Sequence, residues 1–556
     1  MSISLASTAK RSGTATPQPQ TSTKQQQQGA KHPSTANAAS AATSRAATPS
    51  GERKKAPAAS AGVVTGSKSS AAASQPKPEE AEPSGPLPKP ASHEKILAEW
   101  ADRNKITDGK KDISIVVVGH VDAGKSTLMG RLLHETGILS DREHNKNERA
   151  STRLGKGSFA YAWALDASEE ERERGVTIST AHAHFTTPHR NFTVLDAPGH
   201  RDFVPSMITG AAQADAAVLV IDSVQGAFEA GFGPKGQTRE HALLIRALGV
   251  RDVVVVVNKM DQSEWSQARY EEIVEQLRPF FAVSGFDASR ITYVPVGGES
   301  EGENITRRSD NVKTLLSHWQ GQYEGNKVPS LLDILDTLEP PVRDVQGPLR
   351  LPITNAFRGQ TAIASGVAAA GRILSGLVAV GDRVRCVPGE EVATVRAIEQ
   401  DSESIPWAVA GSSVTVYLAG IDEIHLAVGS ILCPPSEPVV LCTNLTVQLL
   451  VFEPTYPILA GTVASLHHHS LDVPCTVTDL ISTIDKSKIT GSSTAGSKAS
   501  LKPKKPRVLG KGATAVVKIT VQAPGLPVEV QRKDLARVLL RMQGETIAAG
   551  VVTECS

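Results

Sequence analysis

The segment Gly119–Thr127 constrains this chain more than any other, because it reads GHVDAGKST between a strand pattern and a helix pattern. The apolar run Ile113–Val118 precedes it, and Leu128–Leu133 follows it with apolar residues on one helical face. The spacing Gly-x4-Gly-Lys-Ser is that of the loop that cradles phosphates in nucleoside triphosphatases. Its backbone N–H groups converge on phosphate oxygens at a helix N-terminus, which also favours negative charge. We therefore predict a phosphate site in which Lys125 reaches the β- and γ-phosphates and Ser126 binds Mg²⁺.

Charge is distributed unevenly along the 556 residues: residues 1–91 carry a net +7, which leaves −6 for the rest. A net negative charge on the residues after 91 does not indicate general nucleic-acid binding. DNA binding is therefore not expected, and any RNA contact must come from local basic patches. Five cysteines without a Cys-x-x-Cys pair favour reduced thiols over disulfides or a zinc site. No apolar run approaches the roughly 20 residues of a membrane helix. We predict a monomeric, cytoplasmic protein without a membrane partner.

The pattern along the chain predicts a tail and three structured units. Residues 1–91 contain no Phe, Trp or Tyr and are predicted to be a disordered, low-complexity tail, because they offer little apolar surface to bury. Residues 92–110 are predicted to form a short amphipathic helix and a linker. In residues 111–343, β-rich runs alternate with helical stretches, which predicts an α/β domain with a largely parallel sheet and helices on both faces. Short Val/Ile/Thr-rich runs then predict two small β-barrels, at 346–436 and 437–556.

We make separate predictions for three segments of the last unit. Residues Lys533–Arg541 have a helical pattern, and the Ser/Gly/Lys-rich residues 486–511 are predicted to be a long mobile loop. The lysines of this loop either stay solvated or contact rRNA phosphates, and salt-dependent ribosome binding would indicate the second. A metal site at His467–His469 is disfavoured, since adjacent strand residues point to opposite faces.

The tetrapeptide Asn258-Lys259-Met260-Asp261 selects the base of the nucleotide. It directly follows the strand predicted at Asp252–Val257. A carboxylate there accepts two hydrogen bonds from the N1–H and the 2-amino group of guanine, whereas adenine would leave it unpaired at a cost. The sequence therefore predicts a guanine nucleotide site.

A second motif predicts a switch that depends on the γ-phosphate. Asp196 ends the strand predicted at Phe192–Leu195, and we expect it to hold the water shell of Mg²⁺. The amide of Gly199 then senses the γ-phosphate, and His200 orients the attacking water. Thr177, which lies between the phosphate loop and Asp196, is the candidate second hydroxyl ligand of Mg²⁺.

These motifs resemble those of translational GTPases of the elongation factor 1-alpha class, in the same order and spacing. They are GHVDAGKST at 119–127, ERERGVTIS at 171–179, DAPGH at 196–200, GQTREHALL at 236–244 and NKMD at 258–261. The resemblance covers about residues 111–556. Within the class, the chain is most similar to the HBS-type ribosome-rescue branch that partners Pelota. The segments that carry this similarity are GSFAYAWALD at 157–166, GAFEAGF at 226–232, KPKKPRVLGKGATAVV at 502–517 and GETIAAGVVTE at 544–554.

The resemblance implies a GTPase domain and two β-barrels, with GTP and GDP as nucleotides and Mg²⁺ as the metal. It also implies delivery of a Pelota-type factor to the empty A site of stalled ribosomes, where rRNA contacts are made and GTP hydrolysis is triggered. Val121 and Val176 match the hydrophobic gate that keeps His200 from water until the ribosome engages. The residues predicted to contact GTP are Asp122, Ala123, Gly124, Lys125, Ser126, Thr127, Gly199, Asn258, Lys259, Asp261, Gly297 and Gly298.

Two departures from the class pattern matter. Gly297-Gly298 replaces the usual Ser-Gly or Ser-Ala of the guanine loop, so a serine hydroxyl is missing and faster nucleotide exchange is expected. The chain also shows no counterpart of the small folded N-terminal domain of some relatives. Three other functions stay open: the GTPase subunit of the termination factor, an elongation factor that carries aminoacyl-tRNA, and a scaffold that binds GTP but barely hydrolyses it.

The substitution Asp261→Asn tests whether this carboxylate reads the base. We expect the preference of the protein to shift from guanosine to xanthosine nucleotides, because an amide can donate to the 2-oxo group of xanthine. Competition between GDP and XDP for the purified protein measures the shift. An Asp261→Asn protein that still prefers GDP would show that another group reads the base.

Overall fold

The computed structural model describes residues 92–106, 110–155, 159–166, 168–174, 176–233, 236–298, 302–317, 319, 328–360, 365–401, 403–452, 456–484 and 505–556. The predicted tail and most of the loop predicted at 486–511 lie outside these residues. Within them, a first domain (the G domain) precedes two β-barrels (domain 2 and domain 3). The prediction of an α/β domain followed by two barrels is confirmed.

The G domain is built on a six-stranded sheet in the order β2-β3-β1-β4-β5-β6, parallel except for the β2–β3 pair. Its strands are β1 Lys111–Gly119, β2 Ala181–Thr186, β3 Arg190–Asp196, β4 Ala216–Asp222, β5 Asp252–Asn258 and β6 Ile291–Pro295. The helices of the described chain are α1 His93–Ile106, α2 Lys125–Glu135, α3 Asp141–Arg153, α4 Glu169–Arg174, α5 Val204–Ala211, α6 Ala227–Phe232, α7 Gln237–Leu248, α8 Gln267–Val283, α9 Asp310–Ser317 and α10 Leu331–Thr337.

The central strands of this sheet are buried on both faces, as their continuous apolar sequences require. Val116 and Val118 of β1 pack into one core cluster together with α5, α7 and α8, whereas Ile115 and Val117 pack into the opposite cluster with α2 and α10. The parallel register pairs Val117 with Asp196 and Asp222 with Asn258. The ends of β1, β3 and β5 therefore lie at one edge of the sheet, although they are far apart in sequence.

Domain 2 is an antiparallel barrel that carries helix α1 on its surface. Its strands are β7 Leu351–Gln360, β8 Ser365–Arg372, β9 Leu377–Ala379, β10 Arg383–Val387, β11 Val392–Gln400, β12 Glu403–Ile405, β13 Trp407–Val409, β14 Ser413–Ala419 and β15 Ile431–Cys433. Strand β10 pairs with both β15 and β11, which closes the sheet on itself. Helix α1 buries Ile96 against Leu377 and Ala379, and His93 contacts Asp382 at 2.9 Å.

Domain 3 is a closed six-stranded barrel in the order β17-β20-β19-β18-β22-β23. The strands of the domain are β16 Leu441–Cys442, β17 Asn444–Val451, β18 Val463–His468, β19 Leu471–Thr483, β20 Thr514–Val521, β21 Leu526–Pro527, β22 Arg537–Met542 and β23 Glu545–Cys555. Alternate residues of β17 and β20 fill the barrel, which is the period of two that strands impose.

The prediction of a helix over Lys533–Arg541 is wrong, because the segment forms a 3₁₀ turn at Asp534–Ala536 and then strand β22. Val538 and Leu540 point into the barrel, whereas Leu539 packs into the core cluster of the G domain. Both faces of this strand are therefore apolar, and the resulting continuous run is not distinguishable from a buried helix by its period.

A buried ion cluster joins the G domain to domain 2. Asp215 accepts hydrogen bonds from Arg343 at 2.8 and 2.6 Å and from Arg372 at 2.5 Å. Arg372 also donates to the backbone carbonyl of Gln213. Although burial opposes this, the two arginines hold the pKa of Asp215 below its usual value. The cluster therefore fixes the linker residue Arg343 and the end of β8 against the G domain.

The substitution Asp215→Ala should lower the free energy of unfolding by about 3–5 kcal/mol, because it leaves two arginines, one of them buried, without their carboxylate. Asp310→Ala is the matched control, since the Asp310 side chain is 97% exposed in its pair with Lys313; we expect a change of at most about 0.5 kcal/mol. Urea unfolding of the two variants measures both. Equal losses would show that the buried cluster does not hold the domains together.

Candidate functional site: a nucleotide cavity at the edge of the sheet

The phosphate loop has the backbone that its glycines predict. Asp122 and Gly124 have φ of 61° and 88°, which places both in the left-handed region. Lys125 begins α2, is buried, and donates from Nζ to the backbone carbonyl of His120 at 2.9 Å. Burial lowers the pKa of Lys125, while Asp196 and Asp122 oppose this shift. A buried cation at a helix N-terminus is suited to a bound polyphosphate.

Asp196 lies at the end of β3 beside this lysine and is fully buried. Within the described part of the chain, neither of its carboxylate oxygens has a hydrogen-bond partner. Burial raises the pKa of Asp196 to about 6, while the nearby Ser126 hydroxyl and Lys125 oppose the shift. A buried carboxylate that is short of partners fits a hydrated divalent cation.

The two predicted hydroxyl ligands of Mg²⁺ lie together. The Oγ of Ser126 and the Oγ1 of Thr177 are 3.1 Å apart, and Thr177 donates to Oδ1 of Asp166 at 3.2 Å. Burial raises the pKa of Asp166 to about 7, and the charges of Asp196 and Glu171 add to the shift. Two hydroxyls and two carboxylates thus form an all-oxygen donor set, which is the chemistry that Mg²⁺ prefers.

The turn Asn258–Asp261 is bonded directly to the phosphate loop. Asn258 donates from Nδ2 to the carbonyl of Ala123 at 2.9 Å and accepts the amide of Gly298 at 3.1 Å. Lys259 donates to the carbonyl of Asp122 at 2.7 Å and pairs with Asp222 at 2.8 Å. These hydrogen bonds therefore fix the predicted guanine turn against the phosphate loop.

The backbone at Gly297 leaves little room for the side chain of the serine that is usual at this position. A Cβ at this position would lie 3.1 Å from the ring of Trp265 and 3.3 Å from Asp261. Trp265 is buried and has a φ of 52°, so its ring occupies space beside the guanine turn. Sequence reasoning missed Trp265, because no pattern in the chain identified its contact with Gly297. Gly298 is also constrained, since a Cβ there would lie 2.8 Å from Asn258.

The cavity between these parts has a volume of about 240 Å³. It is lined by the predicted gate residues Val121 and Val176 and by His200, together with Phe159 and Ala162. The structure thus brings together residues from the phosphate loop, the segment of Thr177, the end of β3 and the guanine turn. Phe159, Ala162 and Asp166 were missed as cavity residues, although their segment GSFAYAWALD was among those that carried the resemblance.

His200 is half-exposed at the mouth of this cavity. Its Nδ1 accepts the backbone amide of Asp202 at 3.3 Å and lies 3.4 Å from the carboxylate of Asp202. Its ring lies 5.8 Å from that of Phe203. The next residue, Arg201, contacts Glu545 of domain 3 at 3.3 Å.

Two histidines behind the loop were also missed. His241 of α7 is fully buried, and burial together with Lys125 and His120 lowers its pKa to about 3. Burial and Lys125 also lower the pKa of His120. Both imidazoles are therefore neutral at pH 7 and add no positive charge beside Lys125.

Taken together, the fold and the site define a guanine-nucleotide-binding protein with a phosphate loop, a Mg²⁺ site and two β-barrels. The chain matches three families in succession: the elongation factor Tu GTP-binding domain over residues 110–341, elongation factor Tu domain 2 over 366–433, and the GTP-eEF1A C-terminal domain-like family over 444–553. One match falls in the G domain and one in each barrel.

Comparison with individual proteins gives the same assignment as the family matches. Protein HBS1 of Drosophila melanogaster is 39% identical over 471 residues, which cover 83% of this chain and 67% of that protein. Elongation factor 1-alpha of Pyrobaculum aerophilum is 39% identical over 449 residues, or 80% of this chain and 95% of the relative. The S. cerevisiae Ski7 GTPase-like domain bound to GTP has the same fold, with a TM-score of 0.66 at 17% identity over 82% of this chain and 99% of that domain.

The chain belongs to the elongation factor 1-alpha class of translational GTPases. It is a GTP hydrolase that acts on ribosomes and uses GTP, GDP and Mg²⁺. Among the described helices, none combines the length and the apolar character that crossing a bilayer requires.

The substitution Gly124→Ala tests the bond between the loop and the guanine turn. The new Cβ would lie 2.5 Å from Nδ2 of Asn258, so we expect the affinity for GDP to fall at least about tenfold. Gly137→Ala is the matched control, because Gly137 has a φ of 80° but no atom within 4 Å of a Cβ. Both variants should lose about 1 kcal/mol of stability from the left-handed backbone. Titration with a fluorescent GDP measures the affinities, and equal losses would contradict the proposed contact.

Proposed function

We propose that this GTPase delivers a Pelota-type factor to the empty A site of stalled ribosomes in the cytosol. The observation that carries the proposal is the similarity to Protein HBS1, which extends over 83% of the chain. Two of the segments that resemble the HBS-type branch, GSFAYAWALD and GAFEAGF, support it, because they form parts of the G domain. Phe228 and Phe232 of GAFEAGF stack at 5.4 Å in the core cluster, and Arg239 lies over the ring of Phe232.

In the proposed mechanism, the chain binds the nucleotide at both ends. Asp261 accepts from guanine, while Asn258 and Lys259 hold the turn against the phosphate loop. Asp122–Thr127 surround the phosphates, and the buried Lys125 neutralises charge that develops on the γ-phosphate. Ser126 and Thr177 would hold Mg²⁺ directly and Asp196 through water. When bound, this cation supplies further charge neutralisation at the phosphates.

His200 positions the attacking water in this mechanism. Its Nδ1 accepts the amide of Asp202, which holds one edge of the ring against the backbone. Val121 and Val176 line the same cavity and separate the imidazole from the γ-phosphate position until the ribosome moves it. The Gly199 amide senses that phosphate, which links the position of His200 to the nucleotide.

Contacts between the G domain and domain 3 support a role in which GTP hydrolysis sets the moment at which the bound factor is released. Beside the Arg201–Glu545 contact, Thr546 donates to Glu240 of α7 at 3.1 Å. Arg537 donates to the carbonyl of Ala247 at the end of the same helix at 3.3 Å. If hydrolysis moves the segment of His200, it therefore also changes the contacts between domain 3 and the G domain. A factor held by the barrels is then released.

The substitution His200→Ala separates this proposal from its alternatives. The variant should bind GTP with nearly unchanged affinity but lose ribosome-stimulated hydrolysis, because no side chain then orients the water. Its GTP-bound form should therefore stay on its partner. Stimulated phosphate release and the protein recovered with the tagged variant are measured on ribosomes stalled with an empty A site.

A Pelota-type factor among the recovered proteins supports the proposal. A stop-codon release factor would assign the chain to termination, and aminoacyl-tRNA would assign it to elongation. Asp310→Ala, an exposed change outside the site, is the control for both measurements. Stimulated hydrolysis that is equal in the His200→Ala and control proteins would remove His200 from the mechanism.

A further inference from the structure

A second cavity lies where the G domain, domain 2 and domain 3 meet, and its volume is about 640 Å³. It is separate from the nucleotide cavity and shares no lining residue with it. Its walls include the turn after α7, the linker between the G domain and domain 2, the end of β8, and the turn before β22. The volume falls within the range of small-ligand sites.

The walls of this junction cavity carry a surplus of positive charge, with seven arginines and lysines against five carboxylates. Three of the carboxylates are already neutralised by arginines of the same walls: Asp215 by Arg343 and Arg372, Asp252 by Arg290, and Asp344 by Arg532. Glu339 and Asp534 remain to oppose three further cations.

These three cations are Arg251, Lys533 and Arg537. Within the described part of the chain, neither Arg251 nor Lys533 has a salt bridge or side-chain hydrogen bond, and both are exposed to the cavity. Arg537 packs its guanidinium against Gly249, and its Nε is buried without a hydrogen-bond partner among the described residues.

The environment of Arg537 is unfavourable for a cation as it stands. Burial lowers the pKa of Arg537, Asp534 opposes the shift, and Arg246 and Arg251 add to it. Its bond to the Ala247 carbonyl uses one donor and also offsets the negative end of the α7 dipole. An anion in the cavity would satisfy the remaining donors and remove the repulsion among the arginines.

We propose that the junction cavity binds a small, multiply charged phosphate ester, held by Arg251, Lys533 and Arg537. Arg251 belongs to the G domain, whereas Lys533 and Arg537 belong to domain 3. The ligand therefore bridges two domains and stabilises their compact arrangement by binding it preferentially. An RNA strand is a different occupant, and the second arm of the experiment below distinguishes it from a small phosphate ester.

Inositol hexakisphosphate is the probe for this site, titrated calorimetrically into the full chain loaded with GDP and excess Mg²⁺ so that the nucleotide cavity is filled. We expect saturable binding of one molecule. The double substitution Arg251→Gln/Lys533→Gln should weaken the Kd at least about tenfold, since each exposed cation donates a charge-assisted hydrogen bond. The thermal unfolding midpoint of the unsubstituted protein should rise with the probe, and that of the variant should not.

The matched control is Arg507→Gln/Lys518→Gln, which removes the same charge from exposed positions of domain 3 outside the cavity. We expect its Kd to stay within about twofold. An equal loss in both double variants, or no saturable binding to the unsubstituted protein, would overturn the proposal.

A twelve-nucleotide RNA forms the second arm of the experiment. If the RNA binds and inositol hexakisphosphate does not, the site takes nucleic acid and the proposal is wrong. Equal GDP affinity of all three proteins confirms that the variants are folded.

Discussion

The parallel pairing of β1 with β3 and of β4 with β5 is the constraint on which the rest of the structure depends. Because the register sets Val117 beside Asp196 and Asp222 beside Asn258, turns that lie far apart in sequence reach the same edge of the sheet. The hydrogen bonds from Asn258 and Lys259 to the phosphate loop then convert this proximity into one rigid cavity. A slip of one residue in either pair would move these side chains to the opposite face.

The same pairing explains why so much of the G domain could be predicted. Strands buried on both faces leave continuous apolar runs, and the strand predicted at Asp252–Val257 is confirmed as β5, which ends one residue later. The helix pattern that follows the phosphate loop over Leu128–Leu133 is likewise confirmed, as part of α2. The nucleotide-contact motifs each sit at the end of a strand, where local spacing alone specifies their position.

Features that depend on contacts between distant segments were not predictable. Strand β22 looked helical because Leu539 faces the G domain while its neighbours face the barrel, and that contact exists only after the domains assemble. Trp265 beside Gly297 is a second case, since a left-handed tryptophan has no signal in the sequence. Asp166 is a third, because its raised pKa arises first from burial and then from the charges of Asp196 and Glu171. Neither the burial nor the approach of Asp196 can be read from the sequence.

The contact between Arg201 and Glu545 joins β23, at the far end of the chain, to a residue whose peptide bond is shared with His200. Both side chains are about half exposed, so the pair adds little to stability. Under the proposed mechanism, a displacement of domain 3 would nevertheless act on the backbone one residue from His200, the proposed catalytic imidazole. In that mechanism the enzyme would have a mechanical input besides its nucleotide, because a pull on the last barrel and a change at the γ-phosphate would both act next to the same histidine.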